Sequence, residues 1–453
     1  MRGGDVLFLD FIHSRFFGPA VLVGLFLVGG YFSIRLRVFW LRHPIKTCHR
    51  IFQGEKPKSV FRAVCLALAG TMGVGNITGV ALALLSGGPG AIFWMLLSAF
   101  FAMAVKYAEV LLALDSRRKN KGEWQGGAPF YMSGRIFPAL FSILCVACAF
   151  FQGGVIQGNA AALSLSQITP FSPLLCGVFF ATLALFIFLF FRHKISSITA
   201  LLIPLATGLY FVMCLVVIVS HAPALPSVIE SIFTSAFTPR AGASGVTAYL
   251  FTEGARIGCA RGLLSNEAGC GTAPLAHITA EGTTPPRQGV WGIFEVFLDT
   301  VVVCTLTALA CLVVMPHTTN IQDFTTEVFA SVFGGVAPYF VGICLIFFAY
   351  STILTWAFYG LSSLHLLFPS TPVFNGIYFF IYSFSVAIGA ICSTRLAFSM
   401  TDVLLAIMTL MNLLAITKKA DRVVTLSAKE GFIYKCCKRE CGPVPVPQEH
   451  PND

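Results

Sequence analysis

The feature that most constrains this chain is a succession of apolar segments, each about 20 residues long. That is the length an α-helix needs to cross the hydrocarbon core of a bilayer, whereas strands of a membrane barrel are shorter and alternate polar with apolar residues. Only 11% of the residues are charged, against about 25% in a soluble globular protein. The chain is therefore predicted to be an all-α integral membrane protein surrounded by the lipid bilayer.

Eleven apolar segments are predicted to be transmembrane helices. They begin near Gly18, Val60, Ala91, Phe141, Ser172, Ile195, Gly245, Gln288, Gly335, Asn375 and Phe398. Most lysines and arginines lie in alternate connections, chiefly 35–62, 117–135, 192–194 and 418–439. Since cytoplasmic loops are enriched in basic residues, this predicts a multi-pass protein of the cell (inner) membrane, with its N-terminus outside and its C-terminus in the cytoplasm. The same placement argues against nucleic acid as a partner, despite the net charge of +10.

Two of the predicted spans are interrupted by small residues. The second contains four glycines in residues 70–79, and the seventh contains Gly262, Gly269, Gly271 and Pro274. Glycine and proline weaken a helix, and unpaired backbone is tolerated at membrane depth only where it lines a cavity or is buried in protein. A single segment of this kind could equally mark close packing of helices through small residues.

The spacing of the two interrupted spans favours a cavity. They are five spans apart, and since five is odd, a five-span repeat must have opposite membrane orientations in its two copies. The sequence thus predicts repeat one over about 60–219 and repeat two over about 245–417. Both lie in a transmembrane domain over 18–417, between an extracytoplasmic segment (1–17) and a basic cytoplasmic tail (418–453). This pattern is typical of inverted-repeat transporters with a site at mid-membrane.

A broken helix exposes N–H groups at one end and carbonyls at the other, which suit a carboxylate and a cation respectively. In the second span the N–H groups would fall near 73–76 and the carbonyls near Ala69 and Met72. An amino acid carries both charges, so such a site matches a small zwitterion. The polar side chains that can complete its hydrogen bonds are Thr71, Asn76, Ser265 and Asn266.

Two further spans carry polar side chains whose role the sequence leaves open. In span 9, Ser351 and Thr352 with a carbonyl one turn earlier could form an oxygen site for sodium, although such hydroxyls usually bond to their own helix. In span 4, Gln157 and Asn159 could line a substrate path or bridge neighbouring helices.

Ionisable residues in the spans are interpreted as structural ion pairs, with a proton relay as the alternative. Lys106 and Glu109 lie three residues apart on one helix face and are predicted to pair. The sequence contains no nucleophile elbow, P-loop or zinc-protease motif, so an enzyme is not predicted. The tail cysteines 436, 437 and 441 lack the spacing of a zinc site, and no cofactor is predicted.

Five long segments together carry a resemblance to a known transporter family. They are GTMGVGNITGVALAL (70–84), GGPGAIFWMLLSAFFAMAVKYAEVLLAL (87–114), ARGLLSNEAGCGTAPLAHITA (260–280), RQGVWGIFEVFLDTVVVCTLTAL (287–309) and FAYSTILTWAFYG (348–360). In these segments the chain resembles the alanine or glycine:cation symporter family. The resemblance implies eleven transmembrane helices, of which the last ten form a 5+5 inverted-repeat, LeuT-type core.

The same resemblance implies the residues of two sites. The substrate contacts would be Thr71, Gly75, Asn76, Gln157, Asn266, Thr352 and Trp356. The sodium ligands would be the carbonyls of Ala69, Met72 and Phe348 and the hydroxyls of Ser351 and Thr352. The chain departs from the family pattern at Leu361, where glutamate is usual, at Met411, where proline precedes asparagine, and at Thr355, where glycine is common.

These observations predict a secondary active symporter that imports a small neutral amino acid, alanine or glycine, with sodium as the coupling ion by alternating access. Within the same fold, the alternatives are another small zwitterion as cargo or coupling to protons. A membrane sensor that binds an amino acid without transporting it is more remote. The tail of about 35 residues is the largest segment outside the spans, and it is too short to fold alone as an output domain.

Overall fold

The computed structural model describes residues 18–52, 55–120, 122–237, 253–316, 318, 321–392 and 394–433. Several predicted features lie outside these residues. They are the N-terminal segment over 1–17, the start of the seventh span near Gly245, and the tail beyond residue 433 with its three cysteines.

The first half of the described chain is helical apart from one short hairpin. Its helices are α1 (Gly18–Arg35), α2 (Phe39–Arg42), α3 (Pro44–Ile51), α4 (Pro57–Thr71), α5 (Thr78–Gly87), α6 (Gly90–Ser116), α7 (Ala128–Tyr131), α8 (Ile136–Cys148), α9 (Gln157–Ile168), α10 (Pro173–Phe191), α11 (Ile195–Ser220) and α12 (Leu225–Phe237). The hairpin pairs β1 (Arg118–Asn120) with β2 (Glu123–Gln125) in antiparallel register. A π-helix, Ala149–Ile156, joins α8 to α9, and a 3-10 turn, Arg192–Lys194, joins α10 to α11.

The second half consists of helices and their connections in its described part. Its helices are α13 (Glu253–Asn266), α14 (Pro274–His277), α15 (Pro285–Val296), α16 (Thr305–Val314), α17 (Ile321–Phe333), α18 (Ala337–Leu364), α19 (Pro372–Gly389), α20 (Thr394–Lys418) and α21 (Ala420–Lys429). A second π-helix, Phe297–Cys304, joins α15 to α16.

Within the described ranges, eight helical stretches are long and apolar enough to cross a membrane, and the bent pair α4–α5 makes a ninth. Their outer faces carry large apolar side chains. In α10, for example, Phe179 is 54% exposed and Phe190 is 69% exposed. A water-soluble protein rarely exposes so much continuous apolar surface, whereas lipid contacts it without cost. The prediction of a multi-pass helical membrane protein is confirmed, with one short β-hairpin as the exception among the described residues.

The two interrupted segments lie side by side in the interior. Helix α4 contacts α14, and α5 contacts α13, so the first half of each broken segment lies against the second half of the other. Two further helices pack around them. They are α6, whose apolar residues are mostly buried, and α18, which contacts α4. The two segments in which glycine and proline weaken the helix therefore lie in the interior of the bundle.

The beginning of the predicted tail is folded and docked. Helix α21 buries Val423 and Ser427, and the Ser427 hydroxyl lies 2.6 Å from the Tyr107 hydroxyl on α6. Arg422 forms two hydrogen bonds of 2.7 and 2.8 Å with the Asp115 carboxylate. An apolar stripe on an otherwise charged helix accounts for this docking onto the membrane domain.

Candidate functional site

The second predicted span is broken at its glycine-rich segment. Helix α4 ends at Thr71, a 3-10 turn follows over Val74–Asn76, and α5 continues after a bend of 63°. The Gly73 N–H donates to Asn76 Oδ1 at 3.2 Å. In a continuous helix the Gly73 N–H would instead donate to the Ala69 carbonyl. The Ala69 carbonyl therefore lacks this helical partner, and backbone groups are freed at the break, as predicted.

Gly73 lies against side chains from two other helices. A Cβ atom added to Gly73 would meet Thr352 Oγ1 at 3.1 Å and the side-chain amide of Gln157 at 3.3 Å. Gln157 begins α9 directly after a π-helix, and its Oε1 is buried without a hydrogen-bond partner among the described residues. A buried amide oxygen without a donor is costly, so this atom is an acceptor suited to a ligand at the break.

Trp356 packs against the same break from α18. Its Nε1 donates to the Gly70 carbonyl at 3.2 Å, and its side chain fills the space beside Gly153, where an added Cβ would collide with it. Trp356 is fully buried. Three of the residues predicted to contact substrate therefore surround one end of α4, namely Gln157, Thr352 and Trp356.

Four of the five predicted sodium ligands converge where α4 ends against α18. Thr352 Oγ1 lies 2.8 Å from the Phe348 carbonyl and 3.5 Å from the Met72 carbonyl, and Ser351 Oγ lies 2.9 Å from the Phe348 carbonyl. Both hydroxyls thus bond to their own helix, which is their common role, and Thr352 Oγ1 also lies near the Met72 carbonyl at the broken end of α4. Ala69, the fifth, is fully buried one turn before Met72. Neutral oxygen donors grouped in this way suit a hard monovalent cation.

The seventh predicted span is broken as well. Helix α13 ends at Asn266, and beyond it Glu267, Gly269 and Gly271 have φ values of 49°, 84° and 76°. Such left-handed backbone favours glycine, which accounts for two of the glycines in this segment. Asn266 Oδ1 accepts a hydrogen bond of 3.0 Å from the Ala268 N–H and so stabilises the chain just beyond the helix.

Asp299, in the second π-helix, joins the two breaks. Its carboxylate accepts a hydrogen bond of 2.7 Å from Asn76 Nδ2 and another of 2.7 Å from Ser265 Oγ, one from each interrupted segment. Thr300 Oγ1 donates to the same carboxylate at 2.8 Å and accepts from Asn266 Nδ2 at 3.2 Å. The predicted residues Asn76 and Asn266 are therefore brought together through Asp299, which the sequence-based prediction includes only among the ionisable residues of the spans and not among the substrate contacts. Its signal in the sequence was a carboxylate inside an apolar span.

Two predicted substrate contacts are placed differently from the rest. The Thr71 hydroxyl donates within its own helix, at 3.3 Å from the Leu68 carbonyl. Gly75 is exposed, and an added Cβ there would meet nothing within 4 Å. Gly75 borders open space, whereas at Gly73, which is not among the predicted substrate contacts, an added Cβ would meet two side chains.

A buried ion cluster lies beside the break in the seventh segment, formed by Lys106, Glu109, His277 and Glu295. Lys106 Nζ lies 3.8 Å from Glu109 Oε1, which confirms the predicted pair, and 3.1 Å from Glu295 Oε1. His277 Nε2 lies 2.9 Å from Glu295 Oε2, and Asn412 Nδ2 donates to Glu109 at 2.8 Å. All four members are fully buried, so this cluster ties α6 to α15 and to the broken segment.

Comparison with known proteins identifies one family along most of the chain. The family model described as the sodium:alanine symporter family matches residues 6–429. The sodium/alanine symporter AgcS of Methanococcus maripaludis is 32% identical over 444 residues, which cover 93% of this chain and 96% of that protein. The uncharacterized transporter YflA of Bacillus subtilis is 31% identical over 437 residues, which cover 93% of this chain and 92% of YflA.

The solved structures agree on the fold. A crystal structure of the manganese transporter of Eremococcus coleocola aligns with a TM-score of 0.56 and 12% identity, over 84% of this chain and 82% of that one. At this identity the likeness concerns the fold alone. The chain has a LeuT-like transporter fold.

Proposed function

Because the chain belongs to the sodium:alanine symporter family, we propose that it imports alanine or glycine together with sodium by alternating access. The observation that carries the proposal is the break after α4. There an unpaired amide oxygen of Gln157 and the oxygens around Thr352 face the same freed backbone. The family is one of transporters, so the chain is not an enzyme.

The geometry of the break supports a small zwitterion as cargo. Its ammonium group would bind at Gln157 Oε1, while its carboxylate would face the N–H groups at the start of the 3-10 turn and α5. The side chain has little room, because even a Cβ added to Gly73 would lie 3.1 Å from Thr352 Oγ1 and 3.3 Å from the Gln157 amide. Sodium would bind beside it, at the carbonyls of Ala69, Met72 and Phe348 with the hydroxyls of Ser351 and Thr352. Thr71, Gly75, Asn76, Asn266 and Trp356 complete the proposed substrate site.

The proposed architecture is eleven spans with a 5+5 inverted repeat. To the eight helical stretches and the bent pair it adds two spans: one by dividing Pro173–Ser220 at Arg192, and one by counting α13 with α14. Spans two to six then form repeat one, and spans seven to eleven form repeat two. The crossed packing of α4 on α14 and of α5 on α13 supports this pairing of the repeats.

The proposed orientation has a test that uses native cysteines. Cys48 and Cys392 are exposed, and the proposal places Cys48 in the cytoplasm and Cys392 outside. A membrane-impermeant maleimide added to intact cells should therefore label the protein at Cys392, and Cys392→Ser should abolish the labelling. Labelling at Cys48 in intact cells would reverse the proposed orientation.

The function is tested in proteoliposomes with labelled alanine. We expect an inward sodium gradient to drive accumulation of alanine above the outside concentration, and unlabelled glycine to compete. A panel of other amino acids, each measured with a sodium gradient or with a proton gradient, separates this proposal from its alternatives within the same fold. Absence of stimulation by sodium would contradict sodium coupling, and failure to accumulate any amino acid would contradict symport.

A further inference from the structure

A cavity of about 340 Å³ lies between α3 and the chain at the end of α21. Its lining comes from the two segments, with His43, Lys46, Thr47 and Arg50 from the first and residues 428 and 431–433 from the second. None of these residues belongs to the proposed substrate or sodium site. Sites for small ligands have volumes of about 300–1,000 Å³, so the cavity has room for one, and two of its lining side chains are positively charged at neutral pH.

The two positive charges of the cavity, Lys46 and Arg50, lack an acidic partner. Among the residues that the structure describes, no carboxylate oxygen lies within 4.0 Å of either side chain. Glu430 is close in the fold, but its carboxylate accepts from Arg287 Nε at 2.6 Å, and Arg50 bonds to its backbone carbonyl instead. Lys46 and Arg50 lie four residues apart on one helix, where like charges repel. An anion bound between them would remove this repulsion.

The guanidinium group of Arg50 is held in place at the cavity. Its Nη1 donates to the Glu430 carbonyl at 3.2 Å, and its central carbon lies 5.4 Å from the centre of the Phe432 ring. A guanidinium group has five N–H donors, so this hydrogen bond leaves donors for a ligand. Because the planar group matches the spacing of phosphate oxygens and binds them in pairs, the cavity suits a phosphate group.

The apolar face of α3 indicates that the phosphate belongs to a lipid. In the chain α3 lies between α1 and the bent pair α4–α5, both of which are long and apolar enough to cross the membrane. Ile45 is 84% exposed and Phe52 is 70% exposed, and seven residues apart they lie on the same side of the helix. A short helix with exposed apolar side chains on one face and basic side chains beside them lies in the headgroup region of a bilayer.

We propose that this cavity binds the phosphate group of an anionic phospholipid. Lys46 and Arg50 would supply the charges, His43 a further hydrogen bond, and the acyl chains would lie beside Ile45 and Phe52. Anionic lipids attract basic segments that adjoin a membrane span, which favours such a lipid over a zwitterionic one. The lipid would connect α3 to the chain after α21, and since a ligand stabilises the state that binds it, it would strengthen the docking of α21.

The test is the binding of phosphatidylglycerol to the detergent-solubilised protein, measured by native mass spectrometry and by the rise in melting temperature. Phosphatidylcholine with the same acyl chains is the zwitterionic reference and should bind more weakly. We expect Lys46→Gln with Arg50→Gln to weaken the binding of phosphatidylglycerol by about thirtyfold, which corresponds to about 2 kcal/mol, and to leave phosphatidylcholine unaffected. The matched control is Lys418→Gln with Lys419→Gln, which removes the same charge from two exposed positions and should bind as the wild type does.

Three results would overturn the lipid site. One is undiminished binding of phosphatidylglycerol to the variant of Lys46 and Arg50. Another is an equal loss in the control, which would assign the effect to net charge. The third comes from inorganic phosphate, which should leave the melting temperature of the wild type unchanged. A rise with inorganic phosphate that the variant of Lys46 and Arg50 loses would assign the cavity to a soluble phosphate.

A second variant covers the case in which loss of Arg50 prevents folding, since Arg50 also contacts the chain after α21. Lys46→Glu leaves those contacts in place and changes an exposed side chain. It should weaken the binding of phosphatidylglycerol by about tenfold, which corresponds to about 1.4 kcal/mol. Unchanged binding in Lys46→Glu would also overturn the site.

Discussion

Gly73→Ala should lower sodium-driven alanine uptake by up to about a hundredfold, the loss that a misplacement of reacting or binding groups by about 1 Å can produce. The added Cβ would lie 3.1 Å from Thr352 Oγ1 and 3.3 Å from the Gln157 amide, so both side chains must shift away from the break. Gly73 has φ −128° and ψ −150°, an extended conformation open to alanine, so the backbone itself is not strained. The effect should therefore be confined to the site, with folded protein at the wild-type level.

The matched control for Gly73→Ala is Gly79→Ala in α5, six residues further along the same span. A Cβ at Gly79 would meet nothing within 4 Å, and alanine in a helix is favoured over glycine by up to about 1 kcal/mol. We expect wild-type uptake and an equal or higher melting temperature for that variant. Wild-type KM and sodium dependence in Gly73→Ala would show that the break after α4 is not the binding site.

The sequence predicted the broken helices because the cause of a break is local. Four glycines in residues 70–79 weaken the helix there whatever surrounds it, and the structure ends α4 at Thr71. The positive φ values of Gly269 and Gly271 show the same relation in the seventh span. The lengths of the apolar segments predicted a multi-pass helical protein for the same reason, since a membrane span is a property of one continuous stretch.

The contents of the site depend on packing between distant segments, which local patterns do not contain. Gly73 and Gly75 are alike in the sequence, but a Cβ added to Gly73 would meet Gln157 and Thr352, whereas one added to Gly75 would meet nothing within 4 Å. The two amides of span 4, whose roles the sequence left open, are separated in the same way. Asn159 Nδ2 bridges to the Gly389 carbonyl at 2.9 Å, which is the helix-bridging role, while Gln157 Oε1 has no partner in the described part of the chain.

The partners of the charged residues also depend on packing between distant segments, which the sequence does not show. All were interpreted as structural ion pairs, and this is confirmed for Lys106 and Glu109 but does not describe Asp299, whose partners are neutral. Asn412, next to a departure from the family pattern at Met411, also has a role that sequence spacing could not show. Its Nδ2 donates to Glu109 and to the Gly269 carbonyl, at 2.8 and 2.9 Å. Residue 412 thus holds the ion cluster against the broken seventh span.

Lys106→Met should abolish folding of the protein in the membrane, or lower its melting temperature further than any surface variant. Lys106 is fully buried and lies 3.1 Å from Glu295 Oε1 and 3.8 Å from Glu109 Oε1. Methionine nearly fills the same volume, so the loss is one of charge rather than packing. Removing one partner of a buried ion pair costs about 3–5 kcal/mol, because the remaining carboxylate is left without compensation in a low-dielectric interior. Lys58→Met, at an exposed lysine in the first turn of α4, should leave the melting temperature unchanged.

A second substitution distinguishes charge from packing in this cluster. Glu295→Gln removes the carboxylate closest to Lys106, while Glu109 keeps its hydrogen bonds from Asn412 Nδ2 and the Gly271 N–H. The double variant Lys106→Met with Glu295→Gln should therefore be more stable than Lys106→Met alone, since the carboxylate closest to residue 106 is then neutral and only Glu109 remains as a charge without Lys106. Melting temperatures of the detergent-solubilised proteins measure the difference. If the double variant were as unstable as the single one, the unpaired charge of Glu295 would not be the cause of the instability of Lys106→Met.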